Sequence, residues 1–374
     1  MSEVASGPRP GTTAPEPPSG AGRRPRFRPD TRLVVLVGVL LVICVVGQLT
    51  RPDAFLTEGN VSTMLRLAAA IGVVSVGMTF VIIGGGIDLS VGSIVALSSV
   101  WMTTLATQSF GPVTMMICAL LVGAGCGLVN GVLVAYGRVV PFIATLAMLV
   151  SARGLAERIS GGQTQVVRED GFSDALRGDL LGVPVLIWVF AAVVAAGWVV
   201  LERTTFGRRT LAVGGNPEAA RLAGIDVRRH TMWLYVLLGA CCGIAAMLVV
   251  ARTTSGASTN GLLYELDAIA AVVIGGALLS GGRGSMIGTV VGVLIFTVIG
   301  NVFTLNNLPT DVQNIAKGGI IVLAVLFQSL NLRGTRIRRG PPPAPSTASS
   351  TESSPAPSPA PSPARSTAES RPDH

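Results

Sequence analysis

The chain has 374 residues, 49% of them hydrophobic and 13% charged, with a formal net charge of +8. A soluble domain carries about twice that charge density, so this sequence cannot clothe a water-facing surface, and lipid is the solvent that fits it. Nor does the positive charge make a nucleic-acid surface: it collects in two tails and one loop, almost all as arginine with Lys317 the single lysine, a pattern that reports membrane topology.

Residues 1–30 are rich in Pro, Gly and Arg, and no cleavage-like site follows a short apolar core. The first apolar run is therefore expected to stay as a membrane anchor. About ten spans are expected, over roughly 33–49, 61–83, 91–107, 112–136, 139–158, 180–201, 231–252, 264–281, 286–306 and 312–330. Each is near the ~20 residues that cross ~30 Å of hydrocarbon. The fold class is all-α: a polytopic transmembrane helical bundle over 31–332, between tails 1–30 and 333–374. The second tail is a Pro/Ser/Ala tract with no large apolar residues to bury, and both tails are expected to be disordered.

An even number of spans puts both tails on one side. That side receives Arg9, Arg23, Arg24, Arg26, Arg28 and Arg32, the loop 202–230 with Arg203, Arg208, Arg209, Arg221, Arg228 and Arg229, and Arg333, Arg336, Arg338 and Arg339. The other side holds few arginines and a group of carboxylates, Asp53, Glu58, Glu169, Asp170, Asp174 and Asp179. The positive-inside rule places both termini and loop 202–230 in the cytoplasm.

The stretch 77–99, GMTFVIIGGGIDLSVGSIVALSS, ends one span at Gly84-Gly85-Gly86 and opens the next after Asp88 and Ser90. Asp88 or Ser90 has the chemistry to cap the new helix. Alternatively, broken backbone and a carboxylate line a polar cavity, because irregular backbone at membrane depth needs protein or water around it. Gly123, Gly127 and Gly131 repeat every four residues, as do Gly284, Gly288 and Gly292. That spacing lets helix backbones approach closely in lipid, and its recurrence five spans later fits an inverted repeat. Arg66, Arg153, Glu265, Asp267 and Lys317 fall near outer span ends, where they either snorkel to the interface or line a polar vestibule.

The stretch 204–230, TTFGRRTLAVGGNPEAARLAGIDVRRH, reads as a chain break at Gly214-Gly215 followed by a two-turn helix. Asn216 is a good N-cap, Pro217 suits the first helical position, Glu218 complements the dipole and Gly224 is a natural stop. So short a helix needs a surface to pack on, either its own loops or a partner's groove. Its small residues Ala219, Ala220 and Ala223 are expected to be exposed for that partner.

These two stretches, with PFIATLAMLVSARGL (141–155) and YELDAIAAVVIGGALLSGGRGSMIGTVVG (264–292), resemble the permeases of ribose/xylose/galactose-type ABC importers over about residues 60–328. The resemblance implies a bacterial cytoplasmic-membrane subunit that moves a monosaccharide, working with a second permease copy, cytoplasmic ABC ATPase subunits and an extracytoplasmic sugar-binding protein. It implies no cofactor on this chain, with ATP and Mg held by the ATPase partners. Gly215, Asn216, Pro217, Glu218, Ala219, Ala220, Arg221 and Gly224 would form the ATPase-coupling helix. Gly85, Gly86, Asp88, Ser90, Gly92, Thr145 and Asp267 are candidates for the substrate pathway.

ISGGQ at 159–163 looks like a nucleotide-contacting motif, but no G-x-x-x-x-G-K-[ST] loop accompanies it, and Lys317 opens none. Cys44, Cys118, Cys126, Cys241 and Cys242 all lie in apolar runs, and His230 and His374 are the only histidines. No metal or nucleophile constellation results, which argues against a membrane enzyme. Two rivals stay open: an importer of branched-chain amino acids or nucleosides, and an ion-coupled secondary transporter, for which Asp88 would be the only deep carboxylate.

Overall fold

A computed structural model describes residues 31–337. The tails at 1–30 and 338–374 lie outside the described residues. Met1–Ser329 and Leu330–His374 form separate units, and the first is described here. The elements in order are α1 (Thr31–Thr50), α2 (Glu58–Ile83), α3 (Val91–Met102), α4 (Leu105–Gln108), α5 (Pro112–Ala135), α6 (Pro141–Ser160), β1 (Gln165–Val166), α7 (Asp170–Arg177), β2 (Asp179–Leu180), β3 (Val183–Pro184), α8 (Val185–Arg203), α9 (Thr205–Gly215), α10 (Pro217–Leu222), α11 (Val227–Thr253), β4 (Ser255–Gly256), α12 (Tyr264–Ile274), α13 (Met286–Leu305) and α14 (Thr310–Ile337). The only strands among the described residues are two-residue pieces, pairing β1 with β4 and β2 with β3 antiparallel. The protein is therefore an all-α membrane protein. α14 runs past the boundary expected at 332.

Among the described residues, six helices are long and apolar enough to cross a membrane: α1, α2, α5, α8, α11 and α13. Three of the other four expected spans contain a helix that is short or interrupted by charge. α3 has 12 residues and α12 has 11, or ~18 Å and ~17 Å, about half of a bilayer's hydrocarbon. α6 carries Arg153, Glu157 and Arg158.

Burial separates the helices into layers. α2 and α11 are buried along most of their length, while α1 and α5 turn rows of Val, Leu and Ile outward and α8 turns out Trp188, Val199 and four alanines. Lipid is as apolar as those side chains, so helix association here depends on close packing. The glycine repeat of α5 provides it: a Cβ on Gly127 would lie 3.0 Å from the carbonyl carbon of Tyr235 and 3.1 Å from Gly239 Cα, both on α11. A Cβ on Gly123 would meet the backbone of Gly239 and Gly243 in the same way. In the second triplet, Gly288 and Gly292 face the backbone of Gly275 and Ala271 at the end of α12, and Gly284 packs on the Ile83 side chain.

Four of the five charges expected near outer span ends find partners. Asp267 and Lys317 pair at 3.3 Å, Arg66 reaches Asp179 at 3.5 Å, and Arg153 donates to the carbonyls of Ser258 and Asn260. α2 and α13 are joined at one end by reciprocal bonds between the Asn60 and Asn301 amides, at 2.7 and 3.1 Å.

The glycine contact between α5 and α11 gives a direct expectation. Gly127→Leu should destabilise the folded chain by about 1–3 kcal/mol through overpacking, whereas Gly125→Leu, with nothing within 4 Å of the new Cβ, should be neutral. Thermal unfolding of both variants in detergent checks this; equal melting temperatures would refute it.

Candidate functional site

The link between α2 and α3 folds around its own carboxylate. Asp88 Oδ1 accepts from the Ser90 backbone N–H at 2.7 Å and from Ser90 Oγ at 2.6 Å. The Asn130 amide on α5 donates to Asp88 Oδ2 at 3.3 Å and to Ser90 Oγ at 2.9 Å. Asp88, Ser90 and Asn130 are all buried, at 1% exposure or less. The N-cap residue of α3 is Ser90, whose side chain makes no capping bond. Asp88 binds that residue's own N–H, so neither of the two side chains caps the helix as the sequence allowed. The carboxylate instead pins the link and ties it to α5. The oxygen of the Asn130 amide is buried and has no hydrogen-bond partner, an arrangement that costs stability unless another group visits it.

The remaining pathway candidates separate. Gly85 and Gly86 belong to the same link; the Gly86 N–H donates to the Val81 carbonyl at 2.9 Å, and Tyr235 Oη approaches Ile87 O at 3.5 Å. Gly92, the second residue of α3, faces Gly261 and the Glu265 carboxylate, and Glu265 Oε2 is buried without a hydrogen-bond partner. Thr145 is buried, and its hydroxyl is used on the Pro141 carbonyl of its own helix at 2.9 Å. Asp267 is held by Lys317. No hydrogen bond joins Thr145 or Asp267 to the Asp88 cluster. Asn130 and Tyr235, absent from the sequence-derived set, complete that cluster; a polar Asn in the middle of the glycine repeat of α5 was the available signal.

The second stretch folds into two consecutive helices. The break expected at Gly214-Gly215 is absent, since both glycines form the last turn of α9 and the chain turns at Asn216. Asn216 Oδ1 accepts from the N–H groups of Glu218 and Ala219, each at 3.0 Å. At the other end Gly224 has φ +82°, its N–H bonds the Arg221 carbonyl at 3.0 Å, and the Ile225 N–H reaches the Ala220 carbonyl at 3.1 Å. This is the paired-bond helix stop that a left-handed residue permits. Ala220 corrects another expectation: it is 4% exposed, whereas Leu222 is 85% exposed. The outward face of α10 is Ala219, Leu222 and Ala223, and Glu218 is paired with Arg221.

Three glycine pairs then meet. The last turn of α9 lies so close to the end of α2 that a Cβ on Gly214 would fall on the Ile83 carbonyl oxygen. That same oxygen accepts from the Gly282 N–H at 2.8 Å. A Cβ on Gly281 would lie 2.8 Å from Gly214 O and 2.9 Å from Gly85 Cα, and one on Gly282 would lie 2.7 Å from Gly215 Cα. A cavity of about 280 Å³ adjoins this junction, bounded by the Gly84–Gly86 turn, Gly214, Pro217 and Tyr235. The last turn of α9, the glycine turn that ends α2 and the turn between α12 and α13 thus share backbone contacts.

A family model described as branched-chain amino acid transport system / permease component matches residues 60–325. The chain belongs to that permease family. The permease is 41% identical over 300 residues to the ribose import permease protein of Bacillus subtilis, covering 79% of this chain and 92% of that one. It is 40% identical over 292 residues to the L-arabinose ABC transporter permease protein of Azospirillum brasilense, covering 78% and 86%. It is 34% identical over 325 residues to the galactofuranose transporter permease protein of Escherichia coli, covering 84% and 95%. No solved structure matches it. The permease is thus a multi-pass membrane transport subunit similar to sugar ABC import permeases.

The Asp88 cluster makes a prediction of its own. Asp88→Asn would turn an amide N–H₂ toward that of Asn130, leaving a buried donor unmatched at about 1–3 kcal/mol. Asp88→Asn/Asn130→Asp restores a donor facing an acceptor. Thermal unfolding should show a lower melting temperature for the single variant and partial recovery in the double; no recovery would refute the pairing.

Proposed function

We propose that this permease moves a monosaccharide inward across the bacterial cytoplasmic membrane as the transmembrane subunit of an ABC importer, driven by ATP hydrolysis on partner chains. The partners are cytoplasmic ABC ATPase subunits holding ATP and Mg, an extracytoplasmic sugar-binding protein and a second permease copy. The sugar names of the relatives support the substrate class over branched-chain amino acids. The observation that carries the coupling role is the glycine junction. A short capped helix with an exposed leucine follows directly on the last turn of α9, whose Gly214 lies against the backbone that ends α2, and Asp88 comes two residues after the Gly84–Gly86 turn. Displacement of α10 by a partner would press on that turn without an intervening side chain to absorb it.

In this reading ten spans cross the membrane, both termini and segment 204–226 face the cytoplasm, and α7 faces outward. α3 and α12 support the inverted repeat: the two half-length helices are the third and eighth of the ten spans, five apart, and short or glycine-interrupted segments at matching positions mark binding sites in such repeats. An ion-coupled mechanism finds less support, because the buried Asp88 carboxylate is committed to holding its link and α10 would have no partner.

Topology is tested by labelling Arg221→Cys in a variant lacking the five native cysteines. Arg221 is exposed, so a membrane-impermeant maleimide should label it only after the cytoplasmic face is opened; labelling from outside intact cells would overturn the ten-span arrangement. Coupling is tested with Leu222→Asp. Loss of a buried anchor at an interface centre weakens assembly on the order of tenfold or more, so co-purification of the ATPase subunits and substrate-stimulated hydrolysis should both fall while membrane insertion is kept. Wild-type assembly and hydrolysis would remove α10 from the ATPase contact.

A further inference from the structure

Beyond the transport pathway, a groove opens on the outer wall of the bundle where α8, α9 and α11 come together. It is lined by Val200, Phe206, Trp233, Val236, Leu237 and Ala240, has a volume of about 520 Å³ and contains almost no polar surface. Its lining fixes its direction. Trp233, Val236, Leu237 and Ala240 share one face of α11 at three- and four-residue spacing. One helical turn from this lining, toward segment 204–226, stands a set of arginines: Arg203 three residues after Val200, Arg209 three after Phe206, and Arg229 four before Trp233. All three are exposed and none forms an ion pair among the described residues. Two carboxylates, Glu202 and Asp226, lie nearby in sequence; Asp226 is the N-cap of α11 and accepts from the Arg229 N–H at 3.0 Å, and neither forms an ion pair with the three arginines. The guanidinium of Arg203 lies 5.1 Å from the centroid of the Trp198 ring, which places an aromatic and a cation together at the depth where a membrane changes from hydrocarbon to headgroup.

We infer that this groove holds an anionic phospholipid, with one acyl chain along Trp233, Leu237 and Ala240 and its phosphate among Arg203, Arg209 and Arg229. An apolar slot about as long as several methylene groups, ending in unpaired arginines, matches a molecule that is apolar along its tail and negatively charged at its head. Guanidinium groups pair with phosphate oxygens through two parallel hydrogen bonds. The occupant would also brace α9 through Phe206, whose ring lies 4.6 Å from that of His230 and 6.2 Å from that of Phe80. The lipid therefore sits behind the helix that ends in the glycine junction. This inference does not depend on which end of the bundle is cytoplasmic.

The test reconstitutes the full chain carrying Trp101→Phe, Trp188→Phe and Trp198→Phe, so that Trp233 is the only indole. Vesicles contain acyl-brominated phosphatidylglycerol or acyl-brominated phosphatidylcholine at equal mole fraction in both leaflets, which makes the reading independent of orientation. Trp233 fluorescence should be quenched more by the anionic lipid, the preference should shrink with added salt, and Arg203→Gln/Arg229→Gln should reduce it by about fivefold for each arginine removed. Equal quenching by the two lipids would overturn the inference. So would quenching by neither, the result expected if a second copy of the chain covered the groove. A parallel measurement avoids the tryptophan substitutions: lipid retained by the otherwise unaltered chain after detergent purification should be enriched in anionic species relative to the host membrane, and the Arg203→Gln/Arg229→Gln variant should lose that enrichment. Retained lipid of the same composition as the host membrane would likewise overturn it.

Discussion

The carbonyl oxygen of Ile83, at the end of the most buried of the six long apolar helices, is the point on which the arrangement depends. It accepts the Gly282 N–H, and the last turn of α9 lies directly against it at Gly214. Any side chain at Gly214 would displace that turn or the end of α2. Because interiors are close-packed and transmit displacement, the three segments that meet there move together or not at all. The same closeness is what membrane helices use in place of a hydrophobic driving force, and it recurs along α5 and α11. Glycine serves as the packing element throughout, at places where the backbone itself is the contact surface.

Around that point the protein divides its polar groups by purpose. At the Asp88 link, a carboxylate, a serine and an asparagine are joined in one buried network, which fixes the geometry where two helices are broken. Toward the other end, Arg153, Asp267 and Lys317 are spent on carbonyls and on each other. Among the five described side-chain atoms that are buried without hydrogen-bond partners are the Asn130 amide oxygen and Glu265 Oε2. They lie on either side of α3, the half-length helix whose N-terminus opens on the link. Unmet hydrogen-bonding capacity beside a short helix is what a polar substrate would use.

The outer surface has a logic of its own. Trp101 and Trp188 lie near one end of α3 and α8, and Trp198 and Trp233 lie near the opposite ends of α8 and α11, giving the two aromatic belts expected of a protein held in a bilayer. The arginines at the second belt do more than report topology, because an apolar groove leads away from them.

Much of this was legible in the residues. Composition determined that lipid is the solvent, glycine spacing determined where backbones would touch, and Asn216, Pro217 and Gly224 determined both ends of α10, since caps and stops are local chemistry. Local rules were weakest where distant chain supplied the partner. Gly214 and Gly215 read as a break yet complete a helix, because α2 and the Gly281–Gly282 turn demand a surface without side chains. Ala220 read as exposed yet is buried under α9, while Leu222 points out. Asp88 read as a cap or a pathway charge, and one of its hydrogen-bond partners, Asn130, comes from 42 residues away in sequence. A sequence specifies what a residue is able to bond; which partner arrives within reach is decided only when helices far apart in the chain are packed side by side.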